Sequence, residues 1–173
     1  MMKFSFLRIR MAENLNIPSG KLTIEEKYKI LFPQIESLIE DESDLIANMA
    51  NVASVLKNGL GFFWVGFYIV KDKQLVLGPY QGPVACTRIS YGKGVCGKAW
   101  QEQSSVIVPD VNLFPGHIAC SADSKSEIVI PGIAKKNVIF VLDIDSDQIN
   151  SFSGIDKKYL EMIVKLLIDS SDC

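Results

Sequence analysis

The feature that most constrains the fold of this chain is a pair of β-rich runs separated by a short polar turn. Residues 62–70 are entirely aromatic, aliphatic or glycine, residues 71–73 are polar, and residues 74–77 return to a β-forming pattern. Two such runs around a tight polar turn are typical of an antiparallel hairpin. A membrane-spanning helix needs about 20 residues, and the apolar stretch 60–70 is much shorter. It therefore predicts a buried strand.

Helical patterns precede the hairpin. Thr23 and Glu26 have the spacing of a capping box, which predicts the start of a first helix. Pro33 is expected to kink or split that helix. Apolar residues at helical spacing predict a second helix over residues 43–58, and Gly59 is placed to cap its C-terminus. We expect the two helices to form one layer.

Further strand patterns follow the hairpin, at residues 84–90, 106–108, 127–130 and 138–144. A short helix is expected from about Gly94, and Ser153 with Asp156 marks the start of a last, amphipathic helix. Because strands and helices do not alternate regularly, the order argues against a doubly wound parallel sheet. The predicted class is α+β, with a central antiparallel sheet of about six strands packed by the N-terminal and C-terminal helices.

Composition excludes several classes of protein. Apolar residues make up 48% of the 173 residues and charged residues 22%, as in ordinary globular domains. A net charge of −2 provides no positive field for nucleic acid or a membrane surface, so neither is expected as a partner. Residues 1–20 are expected to form a flexible extension before a single domain at residues 21–173. Since residues 1–10 lack the pattern of a secretory signal, we expect a cytoplasmic protein.

Cysteines of a protein expected in a reducing compartment are candidates for chemistry rather than permanent cross-links. Cys86 is expected on a strand, where it could equally pack as a small buried side chain. Cys96 follows a predicted helix start between Lys93 and Lys98, which would favour its thiolate. Cys120 lies in a long polar loop, where packing explains it poorly. These arguments leave the identity of a nucleophile open.

The same cysteines do not have the spacing of a structural metal site. His117 and Cys120 could join the two other cysteines as four ligands, but Cys86 and Cys96 are ten residues apart instead of closely paired. We therefore expect no metal and no other cofactor. His117 is the only histidine of the chain, and it either orients the loop or assists Cys120.

A second group of candidate site residues is acidic or aromatic. Glu127 begins a predicted strand, and Asp143 and Asp145 lie two residues apart near the end of another, so the two aspartates share one face. Buried carboxylates are costly unless they face a pocket or cap a turn, and a pocket of this kind suits an ammonium group. Trp64 and Tyr68 share one face of the first hairpin strand, either as core residues or as a pocket wall.

Together these segments resemble the free methionine-(R)-sulfoxide reductases, a family of single GAF domains. The resemblance covers residues 24–167 and rests on the spacing of the three cysteines and on the segments 116–120 and 142–146, Gly-His-Ile-Ala-Cys and Leu-Asp-Ile-Asp-Ser. Shorter matching segments are residues 64–68, 82–86, 92–97, 108–111 and 126–131. The resemblance implies the GAF fold and an oxidoreductase.

The activity that the resemblance implies is the thiol-dependent reduction of free methionine-(R)-sulfoxide to methionine. By the same resemblance, Cys120 is the nucleophile that becomes a sulfenic acid, and Cys86 or Cys96 captures it as an intramolecular disulfide. The local charges at Cys96 favour that residue as the thiolate instead. A thioredoxin-type reductant would restore the thiols, and the family is compatible with a homodimer.

The resemblance also assigns the acidic and aromatic residues to substrate binding. Glu127, Asp143 and Asp145 would form an acidic pocket in which one carboxyl group protonates the sulfoxide oxygen and others hold the amino group. Trp64 and Tyr68 would pack against the methyl end of the substrate. Such a pocket would exclude the (S) epimer and peptide-bound sulfoxide.

Two other functions are compatible with the same sequence. A GAF domain can bind a small ligand as a sensor without turning it over, or the thiols can act as a redox switch with no substrate. Turnover of the free amino acid with a dithiol reductant distinguishes the enzyme from both alternatives.

Overall fold

The computed structural model describes residues 15–16, 20–117 and 122–171. Most of the predicted extension at residues 1–20, and also Cys120 and Cys173, lie outside these described residues. Within the part of the chain that is described, no helix combines the length and the apolar character needed to cross a lipid bilayer.

A single antiparallel sheet forms the centre of the domain, as predicted. Its six strands are β1 (Trp64–Lys71), β2 (Gln74–Gln81), β3 (Arg88–Ser90), β4 (Val106–Val108), β5 (Ser126–Ala134) and β6 (Asn137–Ser146). Their order across the sheet is β3-β2-β1-β6-β5-β4, and every neighbouring pair is antiparallel. The four long strands β2, β1, β6 and β5 therefore lie between the two short edge strands β3 and β4.

Four helices pack on this sheet: α1 (Ile24–Ile39), α2 (Leu45–Leu60), α3 (Gly94–Glu102) and α4 (Gly154–Asp169). The buried side chains of α1, α2 and α4 share one apolar cluster with residues such as Phe67 of β1 and Leu142 of β6. The buried side chains of α3 belong to a second cluster, with Tyr68 of β1 and Val141 of β6. Because successive strand residues point to opposite faces, the two clusters lie on opposite sides of the sheet. The α+β class is confirmed.

The predicted hairpin is formed by β1 and β2 around a two-residue turn. Asp72 and Lys73 both have positive φ, of 49° and 63°. Two left-handed residues in succession are typical of a turn whose twist matches that of the flanking strands. Ile69 pairs with Val76, and Lys71 pairs with Gln74, directly beside the turn.

The predicted end of the second helix was wrong, and so was one of the two expectations for Pro33, a split first helix. The second helix does not end at Gly59: it continues to Leu60 and is capped by Gly61, whose φ is 75° and whose N–H donates to the carbonyl of Lys57. Gly59 is a buried residue of the helix and packs closely on α1. An added Cβ would lie only 2.5 Å from Cδ1 of Leu31. Nor does Pro33 split the first helix, which runs unbroken through it. Buried residues on both sides of the proline stabilise the two halves as one helix.

The strand predicted at residues 84–90 is also wrong in its first half, since β3 contains only Arg88–Ser90. Residues 82–87 are irregular and are held by side chains from β1 instead of by a full ladder. The indole Nε1 of Trp64 donates to the carbonyl of Pro83 at 3.0 Å, and the hydroxyl of Tyr68 donates to the carbonyl of Cys86 at 3.0 Å. Cys86 therefore lies on this irregular segment and not on a strand.

The first and last helices are joined through a buried polar contact. Asp156 is 2% exposed and accepts from the N–H and the hydroxyl of Ser153, both at 2.8 Å, in a capping box at the predicted start of α4. It also accepts from the hydroxyl of Tyr28 in α1, at 3.2 Å. The Tyr28 ring stacks on Tyr159 of α4 with centroids 4.9 Å apart. One carboxylate thus caps a helix and satisfies a buried tyrosine.

We predict that Asp156→Ala lowers the free energy of unfolding by about 2–4 kcal/mol, because it removes a helix cap and leaves the buried Tyr28 hydroxyl without its acceptor. The matched control is Glu26→Ala, which removes the equivalent capping-box residue at the exposed start of α1 and should cost only about 0.5–1 kcal/mol. Urea unfolding followed by circular dichroism measures both. Equal losses would show that the contact with Tyr28 contributes nothing.

Candidate active site

The candidate site lies on the face of the sheet that carries α3, near one end of the three central strands. Asp145 of β6 is paired across the sheet with Trp64 of β1 on one side and with Glu127 of β5 on the other. One row farther along, Asp143 is paired with Gly66 and with Val129. Alternation along β6 places both aspartates on the same face, as the sequence predicted.

A pocket opens above this row of residues. The side chains that line it come from the sheet, from α3, from the irregular segment 82–87 and from the residues around His117: Trp64, Tyr68, Val84, Ala85, Ile89, Gly94, Val95, Cys96, His117, Ser124, Glu127, Asp143 and Asp145. Every acidic and aromatic residue that the sequence singled out is therefore on the wall of one pocket. Cys86 is adjacent to two lining residues, Val84 and Ala85, while Cys120 lies outside the described residues.

The three carboxyl groups of the pocket strongly influence one another. Burial, and then the charges of Asp143 and Asp145, raise the pKa of Glu127 well above its usual range. Burial and the charge of Asp145 do the same to the pKa of Asp143. Burial raises the pKa of Asp145 to about 6, against an opposing hydrogen bond with Ser124. Like charges this close cannot all ionise cheaply, so the cluster keeps a proton near neutral pH.

Cys96 lies against this acidic cluster at the start of α3. It is a free thiol, 3% exposed, and its Sγ donates to Oε1 of Glu127 at 3.9 Å. Burial, followed by the charges of Asp143 and Glu127, raises the pKa of this thiol well above its usual value. Cys96 is therefore protonated at neutral pH.

The sequence argument that the lysines favour a Cys96 thiolate is wrong. Lys93 is exposed, and Lys98 pairs with Glu102 at 3.7 Å and lies over the ring of Phe114. The charged groups that raise the pKa of Cys96 are instead the carboxyl groups of two strands, Asp143 and Asp145 of β6 and Glu127 of β5. Strand pairing brings those carboxyl groups together from residues far apart in the chain, and the local sequence around Cys96 gives no sign of them.

Cys86 differs from Cys96 in both setting and state. It is partly exposed on the irregular segment, with its carbonyl held by the Tyr68 hydroxyl. Its sulfur forms a disulfide bond. The structure thus separates a buried, protonated thiol from a second cysteine at the edge of the pocket that takes part in disulfide chemistry.

Aromatic side chains form another part of the pocket wall, beside the acidic row. The rings of Trp64 and Tyr68 have centroids 6.2 Å apart, and Tyr80 of β2 stacks on the other side of Trp64 at 5.5 Å. Sequence reasoning missed Tyr80, although the hairpin register that pairs it with Gly66 could have identified it. Gly66 provides the space for the indole, because a Cβ there would lie 2.2 Å from Cη2 of Trp64.

His117 is a further wall residue for which the sequence left two roles open. Its Nε2 lies 3.8 Å from Oε2 of Glu127, so it contacts the acidic cluster as well as the loop that leads to Cys120. Burial lowers the pKa of His117, which favours the neutral imidazole and weakens an ion pair with Glu127.

Comparison with known proteins agrees with this architecture. A GAF domain model matches residues 40–167. The chain is 58% identical to GAF domain-containing protein A of Dictyostelium discoideum, with 91% of this chain and 99% of that protein covered. It is 38% identical to the free methionine-R-sulfoxide reductase of Saccharomyces cerevisiae, with 90% of this chain and 91% of that protein covered. The chain belongs to the free methionine-R-sulfoxide reductase family.

The structure of this family member is also similar to a solved structure. The free methionine-R-sulfoxide reductase of Neisseria meningitidis, determined in complex with its substrate, matches with a TM-score of 0.87 and 45% identity. The match covers 91% of this chain and 95% of that one. The predicted GAF fold is confirmed, and it includes all the strands that build the pocket.

In this reductase-family domain, Gly66→Ala should displace the Trp64 indole, since the added methyl group would also lie 2.6 Å from Cβ of Tyr80. We expect a loss of about 1–3 kcal/mol in the free energy of unfolding and a changed tryptophan emission spectrum. A Trp100→Phe background makes the emission report on Trp64 alone. Gly154→Ala is the matched control, because an added Cβ there has open space around it. An unchanged spectrum in Gly66→Ala would contradict this interpretation.

Proposed function

We propose that this protein reduces free L-methionine-(R)-sulfoxide to methionine through a cysteine thiol. The observation that carries the proposal is the pocket itself, in which three carboxyl groups lie beside the aromatic side chains of Trp64 and Tyr68, with a disulfide-forming cysteine at its edge. Relatives with this fold over most of their length are named as reductases of this substrate. The proposal thus combines family membership with the chemistry of this chain's own residues.

The acidic and the aromatic side chains of the pocket match the two ends of the substrate. An amino acid has an ammonium group, which Asp143 and Asp145 can hold through charge-assisted hydrogen bonds. Its sulfoxide end is smaller and partly apolar, and Trp64 and Tyr68 can pack against the methyl group. A sulfoxide within a peptide has no free ammonium group to offer, so the acidic wall selects the free amino acid.

The sulfoxide oxygen needs a proton as its bond to sulfur breaks. Glu127 is the proposed donor, because it is buried between Cys96 and Asp145 and its raised pKa keeps a proton on the cluster. The Cys96 thiol donates to the same carboxyl group and helps to position it. Neutral His117, 3.8 Å from Glu127, borders the donor on its other side.

The proposed reaction has three steps. The Cys120 thiolate attacks the sulfoxide sulfur, the sulfur–oxygen bond breaks, and the oxygen is transferred to the cysteine, which becomes a sulfenic acid while methionine leaves. The Cys86 thiol then displaces water from the sulfenic acid and forms a disulfide. A dithiol of thioredoxin type reduces this disulfide by exchange and is itself oxidised.

Two observations support Cys120 and Cys86 in these roles. The burial and acidic surroundings of Cys96 keep its thiol protonated, which makes it a poor nucleophile. Cys86 is partly exposed and disulfide-bonded, as a resolving cysteine has to be at one stage of the cycle. We place the enzyme in the reducing cytoplasm, where a thioredoxin-type partner is available, with a homodimer as the proposed assembly.

The substrate proposal predicts consumption of free methionine-(R)-sulfoxide with dithiothreitol as reductant. Removing the ammonium group by N-acetylation, or placing the residue in a peptide, should lower kcat/KM by about 10–100-fold or more, because buried carboxyl groups lose their partner. The (S) epimer is a stereochemical control. Comparable rates on the free and the N-acetylated substrate would refute the specificity, and binding without turnover would instead support a sensor.

The cysteine roles predict distinct phenotypes for single Cys→Ser variants. Cys120→Ser should release no methionine with any reductant. Cys86→Ser should release about one methionine per enzyme without reductant and turn over with dithiothreitol but not with thioredoxin, since no disulfide forms. Cys96→Ser should keep this single-turnover release. If Cys96→Ser released no methionine while Cys120→Ser still released it, Cys96 and not Cys120 would be the nucleophile.

A further inference from the structure

Three potential metal ligands converge in the interior of the pocket. The Sγ of Cys96 and one carboxylate oxygen each of Glu127 and Asp143 all lie within 4.8 Å of one another. These side chains are 3%, 6% and 7% exposed. They come from α3, β5 and β6, so the sheet and the helix packed on it fix their relative positions.

One atom of this group has no hydrogen-bond partner. Oδ1 of Asp143 is buried and has no hydrogen-bond partner within the described part of the chain, although Cys96 and Glu127 hydrogen-bond with the same carboxyl group. Its cross-strand neighbours, Gly66 and Val129, have no polar side chain to offer. A buried carboxylate oxygen without a donor is costly. A cation held beside Cys96 and Glu127 would satisfy it.

We propose that the protein with reduced thiols binds a divalent zinc ion through Cys96, Glu127 and Asp143. One thiolate and two carboxylates are a ligand set that Zn²⁺ accepts, whereas Mg²⁺ and Ca²⁺ favour oxygen ligands alone. The fourth position is left to water or to His117, whose Nε2 lies 3.8 Å from Glu127. Tetrahedral zinc separates its ligand atoms by about 3.5 Å, so a modest inward movement of the side chains completes the site.

The proposed ion would occupy the same space as the acidic wall of the pocket. Two of its ligands, Glu127 and Asp143, are residues that we assign to the substrate, so bound zinc and bound amino acid would exclude each other. The ion would also bind Cys96, whose sulfur positions Glu127 but is neither the nucleophile nor the resolving thiol in the proposed reaction. Zinc binding itself does not depend on that reaction.

The test uses Co²⁺ as a spectroscopic substitute for zinc, because a thiolate bound to Co²⁺ gives a charge-transfer absorption band. The probe protein is the full chain with Cys86, Cys120 and Cys173 changed to Ser, which leaves Cys96 as the single thiol. We expect a saturable band at about one Co²⁺ per chain, displaced by Zn²⁺. The proposal is overturned if this protein gives no band.

Two further variants in the same background test the ligands. Adding Cys96→Ser should abolish the band, and adding Asp143→Asn should weaken Co²⁺ binding by about tenfold or more. Thermal unfolding without metal checks that each variant folds, and Zn²⁺ should raise the Tm of the probe protein but not that of the Cys96→Ser form. A band that survives the loss of Cys96, or affinity unchanged by Asp143→Asn, would contradict the site.

Discussion

The two-residue alternation of β6 is the constraint on which both the core and the pocket depend. Three of its even-numbered residues, Phe140, Leu142 and Ile144, are fully buried against α1, α2 and α4. Val141, Asp143 and Asp145 alternate with them and point to the face of the sheet that carries α3. A slip of one residue in the register with β1 or β5 would move carboxyl groups into the apolar core. The pairing that holds the helices in place therefore also holds the acidic wall in position.

The acidic cluster works against the stability of the domain. A carboxyl group whose pKa is raised in the folded state holds its proton at a pH where the unfolded chain ionises freely. The free energy of unfolding therefore falls as the pH rises from the ordinary carboxyl range towards the raised pKa values of Glu127 and Asp143. Burying Glu127 and Asp143 is thus a cost that the apolar face of the sheet has to offset. Residues retained at such a cost are typical of binding and catalytic sites.

Local patterns in the sequence predicted most of the fold, because local physics determines those elements. The capping boxes at Thr23 and Ser153 define the starts of α1 and α4, and the apolar run within residues 138–144 identified β6. Errors occurred where distant contacts override local preference. Gly59 has the appearance of a helix cap, but packing against Leu31 of another helix places it inside α2. The segment 82–87 has strand propensity, but hydrogen bonds from Trp64 and Tyr68 hold it away from regular pairing.

The same distinction explains what the sequence could say about the site. Glu127, Asp143 and Asp145 were identifiable because acidic residues within predicted buried strands are costly, and the sequence alone shows them. The setting of Cys96 was not identifiable, since its nearest charges are contributed by β5 and β6, more than 30 positions away in the chain. Near neighbours such as Lys93 suggested a thiolate, and strand pairing produces the opposite effect. For Cys96, the carboxyl groups of the sheet on which α3 packs therefore outweigh the lysines beside it in sequence.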